Sequence, residues 1–313
     1  MSTAPTVAAI VPCYNEELSV ESVVRDLRDA VPDIQIYVYD NNSSDRTAEI
    51  AHSAGAIVRK ELLKGKGNVV RRAFADVEAD IYVLIDGDDT YDASALPRMI
   101  EALQSGPFDH VLGVRQETTG SAYRPGHALG NKGFNLLVGK VFGSEVSDML
   151  SGYRVMSRRF VKSFPALSRE FEIETELTVH AMSVRAPQVE VAVDFRDRPP
   201  GSESKLRTYH DGFRILSLIG QLTRHERPML FYGILGAILA VIGVLLVIPV
   251  VVEYFQTGLV PRLPTAVLAL GITLVAILSW MIGLILDGVL KARREISRLH
   301  YLRYSAADRT AAS

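Results

Sequence analysis

The sequence predicts an α/β head with a mostly parallel sheet, followed by a helical hairpin that anchors the chain in a membrane. Three observations predict it. Short apolar runs alternate with stretches of helical periodicity through the first third of the chain, the pattern of strands joined by crossover helices. The polar clusters lie just past the ends of the strand-like runs, where open α/β sheets bind ligands. Two uncharged apolar stretches, Met229 to Val252 and Ala266 to Leu286, each hold roughly 20 or more residues, enough at 1.5 Å rise to cross a hydrocarbon core of about 30 Å.

In chain order, Val7 to Val11 reads as a strand, and Val20, Val23, Val24, Leu27 and Val31 form one helical face. Ile34 to Tyr39 is the second strand and Ile57-Val58 the third. Val69, Val70, Ala73, Phe74 and Val77 line another helix before the strand Ile81 to Ile85. A helical pattern starts at Phe171 to Thr178, where Glu172, Glu174 and Glu176 read as a solvated face near a helix N-terminus, and His180 belongs to the same helix. Beyond it, Tyr209, Phe213, Leu216 and Ile219 share one face, and His210, Arg214, Ser217 and Gln221 the other. That is an amphipathic helix lying in the interface or packed on the head. The expected organisation is a head over 1–208, a juxtamembrane segment over 209–228, the hairpin over 229–286 and a basic tail over 287–313.

With 34 Lys and Arg against 36 Asp and Glu, the net charge of −2 argues against a nucleic-acid partner. The single cysteine, Cys13, excludes an intramolecular disulfide framework, fits a reducing cytoplasm and reads as a small buried packing residue. The N-terminus reaches its first strand with no basic start and no cleavage site, so no signal peptide is expected and insertion falls to the hairpin. The connector from Glu253 to Thr265 holds Pro261, Pro264 and one Arg. Arg224 and Arg227 precede the first span, and Lys291, Arg293, Arg294 and Arg298 follow the second. This bias places the head and both termini in the cytoplasm. Asp287 sits at the inner end of the second span, where a carboxylate is tolerable.

Four polar clusters converge on one crevice. They are Pro12, Tyr14, Asn15, Glu16 and Glu17; Asp40 through Thr47; Lys64-Gly65-Lys66-Gly67-Asn68; and Asp86-Gly87-Asp88-Asp89. A dinucleotide fingerprint is excluded because Val70 stands where a third glycine is needed. The lysine cluster reads either as a phosphate-binding turn or as a solvated one. Asp86 and Asp88, two apart where a strand ends, offer hard oxygen donors to Mg²⁺ or Mn²⁺ completed by water and diphosphate; taken alone they could also be a solvated Asp-Gly turn.

Five segments in this order, Val11 to Glu16, Asp40 to Thr47, Gly65-Lys66-Gly67, Asp86-Gly87-Asp88, and Asp148 with Ser151-Gly152-Tyr153-Arg154, resemble the family 2 glycosyltransferases. These have the A-type nucleotide-sugar fold, which is Rossmann-like. The likeness is greatest to the polyprenyl-phosphate glycosyltransferases, the group that includes dolichyl-phosphate mannose synthase, and it runs from Val7 to about Lys205. The resemblance implies that Pro12, Tyr14, Glu16 and Asp40 hold the nucleoside and that Asp86 and Asp88 serve the nucleotide and its metal, with Asp88 also a catalytic candidate. Asn15, Asn42, Lys66 and Gly87 complete the expected donor site. Asp89 and Thr90 depart from the Leu-Gln pair of the mannose synthases, which leaves the second metal ligand and the sugar open.

The expected acceptor is a polyprenyl phosphate. Arg115, Arg124, Lys132, Asn135, Arg196, Arg198, Ser204 and Lys205 form the basic and polar set for its phosphate. Arg198 to Lys205 resembles the Arg-x-x-Gly-(x)-Ser-Lys element of the mannose synthases, longer by one residue. The resemblance puts Asp148 near the reacting centre as a catalytic candidate, and it puts the Phe171 to Thr178 segment near the sugar, the alternative to a solvated face for Glu172, Glu174 and Glu176. A phosphate monoester is already largely dianionic at neutral pH, so Asp148 is expected to orient the acceptor or a basic residue such as Arg154, or to support an oxocarbenium-like centre, rather than act as a base. The expected reaction is inverting, metal-dependent transfer from a UDP- or GDP-linked sugar to the lipid phosphate at the cytoplasmic face, for a cell-envelope glycan. A homo-oligomer is left open. A processive polysaccharide synthase is the rival enzyme; that class has more membrane helices and a Gln-x-x-Arg-Trp motif, whereas the one tryptophan, Trp280, lies in a span. A non-catalytic nucleotide-binding membrane scaffold is the other alternative, opposed by Asp86 and Asp88 standing with the basic set.

Overall fold

Strand pairing in the computed structural model follows the alternation of the sequence. The structure describes residues 5–117, 147–166, 173–196, 224 and 227–305. In the head these form β1 (Val7–Cys13), α1 (Val20–Ala30), β2 (Gln35–Asp40), α2 (Thr47–Ser53), β3 (Ile57–Lys60), α3 (Lys66–Asp76) and β4 (Ile81–Leu84). There follow α4 (Leu96–Ser105), β5 (His110–Glu117), β6 (Arg154–Ser157), α5 (Arg158–Ser163), α6 (Ile173–Val184) and β7 (Gln188–Phe195). The sheet order is β3-β2-β1-β4-β6-β5-β7. β1, β2, β3 and β4 pair in parallel, as do β5 and β7; β6 runs antiparallel between β4 and β5.

Both faces of the sheet are covered, so alternate residues of one strand enter different cores. From β1, Ala9, Val11 and Cys13 join Val20, Val24 and Leu27 of α1, while Ala8 and Ile10 join Val70, Phe74 of α3 and Leu177 of α6. Of the residues whose spacing predicted α1 and α3, Val20, Val23, Val24 and Leu27 are buried on α1 and Val69, Val70, Ala73 and Phe74 on α3, while Val31 and Val77 fall just past the helix ends. Register puts Cys13 level with Asp40 and Ile10 level with Leu84. The chain therefore leaves β1, β2 and β4 at one edge, and three of the polar clusters begin there.

The hairpin forms a second compact unit, Thr208–Glu295. Its helices α7 (Pro228–Thr257) and α8 (Leu263–Leu302) are 30 and 40 residues long, and each contains an 18-residue stretch of high mean hydropathy, 3.1 and 2.4, long and apolar enough to cross a membrane. Their large apolar side chains are exposed, as at Phe255 and Leu270. Between the two helices the backbone approaches closely at small residues: the Trp280 indole donates to the Gly233 carbonyl at 3.0 Å, and a Cβ at Gly236 would strike the same ring. The connector is shorter than the sequence suggests, because α7 continues to Thr257 and closes on Gly258 at φ 68°.

α8 continues to Leu302, well past the expected end of the span, and from Ile296 onward the chain clusters with the head. Tyr301 is buried in the head's second core. Its hydroxyl donates to the Asp109 carboxylate at 2.5 Å and its ring lies under the Arg159 guanidinium. The amphipathic pattern from Tyr209 to Gln221 lies outside the described residues.

Candidate functional site

The first two polar clusters are built from turns that tie the ends of β1 and β2 together. Asn15 holds a left-handed backbone, φ 54°, which asparagine tolerates better than most residues. Its N–H donates to Ser43 Oγ at 3.0 Å and its Oδ1 accepts from the Ser44 N–H at 2.8 Å. The N–H of Glu16, a buried residue, donates to Thr47 Oγ1 at 2.8 Å. Asp40 is buried and accepts from the Ser43 N–H at 3.1 Å. Asn42, at φ 65°, donates to the Leu62 carbonyl at 2.7 Å. Pro12 lies in β1 opposite Tyr39, and the Lys64 ammonium sits 4.8 Å from the centre of the Tyr14 ring. Asn41, placed in the second cluster by the sequence but given no role of its own, fastens the lysine turn to β2: its amide donates to the Glu61 and Leu63 carbonyls and accepts from the Gly65 N–H. Its place inside the matched Asp40 to Thr47 segment was the available signal.

The acidic run is held from both sides. A Cβ at Gly87 would strike Cys13 Sγ, so glycine is required where the run passes the buried thiol. Burial pushes the Cys13 thiol up, and the carboxylates of Glu16, Asp40, Asp86 and Asp88 push it further; these four acids thus converge on the end of β1. Cys13 is the packing residue expected. Asp88 is buried, and its Oδ1 accepts from the Thr90 hydroxyl at 2.7 Å. Thr90, the departure from the mannose-synthase pattern, therefore orients Asp88.

Lys66 opens α3 and reaches two acids, Asp86 and Glu174, the latter at 2.5 Å. Burial opposes the lysine's charge, but the two carboxylates outweigh it and hold the ammonium protonated. Of the two readings of Glu174, the solvated face is corrected: the residue is buried at 4 % exposure, and burial raises its pKa against the pull of Lys66. Gly152 completes the arrangement, since a Cβ there would strike the Asp86 carboxylate, and its N–H donates to the Tyr91 hydroxyl at 2.9 Å. Three segments distant in sequence, those of Lys66, Gly152 and Glu174, meet around Asp86. Among the described residues no three His, Cys, Asp or Glu side chains gather as a metal cage. Two carboxylates nonetheless fit Mg²⁺ or Mn²⁺, which commonly take one or two protein carboxylates and complete their shell with water and substrate phosphates.

Asp148 is buried and paired with Arg115, whose Nε and terminal nitrogen each donate to a carboxylate oxygen at 2.7 Å. The basic residue that Asp148 holds is thus Arg115 and not Arg154, the example expected, because Arg154 hydrogen bonds elsewhere, to the Ser151 and Met149 carbonyls, Thr178 and His110. A planar fork on β5 matches a carboxylate better than one already filled by carbonyls. Arg196 donates its N–H to the Thr90 carbonyl at 2.8 Å and pairs with Asp92 at 3.3 Å, which sets it beside the acidic run. Arg124, Lys132, Asn135, Arg198, Ser204 and Lys205 lie outside the described residues.

Residues 8–164 match Glycosyl transferase family 2. Glycosyltransferase AglJ of Haloferax volcanii is 30 % identical over 94 % of this chain and 97 % of its own length. A dolichyl-phosphate hexose transferase of the same organism is 28 % identical over 72 % of this chain and 97 % of its own. Glucosyl-3-phosphoglycerate synthase from Mycobacterium tuberculosis, solved with Mn²⁺, UDP and glucosyl-3-phosphoglycerate, superimposes with a TM-score of 0.57 at 22 % identity, over 70 % of this chain and 79 % of its own; that likeness concerns the fold.

Proposed function

The chain belongs to glycosyl transferase family 2 and is a glycosyltransferase, and from that membership we propose that it moves a sugar from a nucleotide diphosphate donor to a polyprenyl phosphate. The observation that carries the reading is Lys66 joining Asp86, in the acidic run that also holds Asp88, to Glu174, together with the buried Asp148–Arg115 pair, in a head joined to two apolar helices. The relative whose name contains dolichyl-phosphate, 97 % covered by this chain, supports the lipid acceptor.

In this reading Pro12, Tyr14, Asn15, Glu16, Asp40 and Asn42 hold the nucleoside, while Asp86 and Asp88 would hold Mg²⁺ or Mn²⁺, which when bound neutralises diphosphate charge. Lys66 fixes the orientation of Asp86, and Thr90 that of Asp88. An oxygen of the lipid phosphate attacks the anomeric carbon, the bond from that carbon to the diphosphate oxygen breaks, and the electron pair leaves with the nucleoside diphosphate. Attack from the face opposite the leaving group inverts the anomeric centre. The attacking dianion needs no base, so Asp148 keeps the Arg115 guanidinium turned toward incoming phosphate. Basic residues flanking the apolar helices, Arg224 and Arg227 before and Lys291 after, support a cytoplasmic head with both termini on that side. The head, juxtamembrane segment, hairpin and tail remain the proposed organisation, with the end of α8 assigned to the head.

The test is mass spectrometry of the lipid product from purified full-length protein, polyprenyl phosphate and a panel of UDP- and GDP-sugars. One sugar added to the lipid phosphate is the expected product. A lipid carrying a long polymer would support processive synthesis, and nucleotide binding without product from any donor would leave the scaffold reading.

A further inference from the structure

The Arg154 guanidinium is entirely buried, yet its hydrogen bonds among the described residues go to carbonyls, a hydroxyl and an imidazole rather than to a carboxylate. Nε donates to the Ser151 carbonyl at 3.0 Å and one terminal nitrogen to the Met149 carbonyl at 3.0 Å. The other terminal nitrogen meets Thr178 Oγ1 at 2.9 Å and His110 Nε2 at 3.2 Å. Because a guanidinium only donates, His110 Nε2 must accept, so His110 is neutral with its proton on Nδ1, which faces Gln188 Oε1 at 3.4 Å. Burying a charge on neutral acceptors is costly, and an apolar side chain of similar volume often stabilises a core as well or better. Stability alone does not account for an arginine here.

The contacts account for it. Met149 and Ser151 flank the turn that begins at Asp148, where the Ser151 N–H donates to the Asp148 carbonyl at 3.3 Å. Thr178 lies one turn after Glu174 in α6 and donates to the Glu174 carbonyl at 3.1 Å. One guanidinium thus joins the turn bearing Asp148, partner of Arg115, to the helical turn bearing Glu174, partner of Lys66 and so of Asp86. Both acids act on its charge: burial lowers the Arg154 pKa to about 10, against the opposing pull of Glu174 and Asp148.

We propose that Arg154 is a positioning residue that sets the spacing between the Asp148–Arg115 arm and the Glu174–Lys66–Asp86 arm of the site, with Thr178 as its attachment to the second arm. The proposal rests on the glycosyl-transfer reading. Its consequence is a separation of binding from turnover: each arm keeps its own ion pair when the strut is cut, while their mutual distance is no longer fixed. Reacting groups displaced by ~1 Å can lose on the order of 100-fold in rate.

The experiment uses the full chain in lipid nanodiscs and two variants. Thr178→Val keeps shape and removes only the attachment; Arg154→Lys keeps the charge without the planar fork. The expected result for Thr178→Val is a fall in kcat of roughly tenfold or more, with UDP or GDP affinity by calorimetry within twofold of wild type and a melting temperature near wild type. Arg154→Lys should lose at least as much kcat. A kcat within twofold of wild type in both folded variants overturns the proposal, as does a parallel loss of nucleotide affinity and melting temperature in Thr178→Val, which would mark a purely structural role. Wild-type protein that forms no lipid-linked sugar would fail the function reading itself, whereas active wild type with unaltered variants fails only the strut.

Discussion

His110 should make the head acid-labile by an amount that its environment sets. It is fully buried, stacked on Phe160 with ring centres 5.0 Å apart, and faced by the Arg154 guanidinium at 3.2 Å. Burial, reinforced by the Arg154 charge, lowers its pKa to about 3. In the unfolded chain a histidine titrates near 6.5. Between those values the unfolded chain binds a proton that the folded one refuses, so stability present above pH ~6.5 is lost as pH falls toward 3. At pH 5 the refusal amounts to about 1.5 pH units at 1.36 kcal/mol each, or about 2 kcal/mol. For a domain of about 200 residues that is about 4–8 °C in Tm. Carboxylates titrate over the same range, so the measurement is a difference: Tm at pH 7.5 minus Tm at pH 5 for wild type and for His110→Gln, whose amide oxygen can still accept from Arg154. The variant should lose about 4–8 °C less than wild type. Equal acid losses, or a histidine NMR titration assigning His110 a pKa near 6.5, would refute the buried neutral imidazole and the tautomer inferred from it.

Asp88→Ala should lower transfer by about 100-fold or more while costing on the order of 1 kcal/mol from the lost Thr90 hydrogen bond; near wild-type turnover in the presence of a chelator would remove Asp88 from the metal assignment. Gly152→Ala should cost roughly 1–3 kcal/mol by overpacking and should impair transfer, because the added methyl meets the Asp86 carboxylate; melting and rate measurements on one preparation check both. Tyr301→Phe deletes a hydroxyl donated to the buried Asp109 carboxylate and should lower stability by about 1.5–3 kcal/mol, so a head truncated at Arg207 should melt below the full chain's head. Asp148→Asn should reduce kcat by breaking the two-pronged Arg115 pair. The acidic limb of its pH–rate profile, set by the phosphate pKa of about 6, should match that of wild type; a limb present in wild type and missing in Asp148→Asn would make Asp148 a base after all.

What the sequence made legible follows from how far each residue's partner lies along the chain. β1, β2, α1 and α3 were readable because their inward residues recur at fixed short spacing and are the residues buried. The clusters at the ends of β1, β2 and β4 were readable because polar residues and glycine interrupt apolar runs at each exit, and register levels those exits. β6 was not readable: its four residues, Arg-Val-Met-Ser, are all buried, and an arginine at the head of such a run suggests an exposed end rather than a central strand inserted antiparallel. The same limit hid the pairs. Lys66 and Glu174 are 108 positions apart, Asp109 and Tyr301 are 192, and Arg115 and Asp148 are 33. Read locally, each charged member resembles a solvated residue, because local pattern contains the charge but not what neutralises it. A buried charge costs several kcal/mol unless it is paired or densely hydrogen bonded, so these positions are coupled in ways that single positions do not display. Replacing Glu174 leaves Lys66 facing Asp86 alone, and replacing Lys66 leaves two acids facing each other. Because the partners act as a unit, effects of substitutions at these two positions should not add, and the candidate site is set as much by this remote pair as by the motif carrying Asp86 and Asp88.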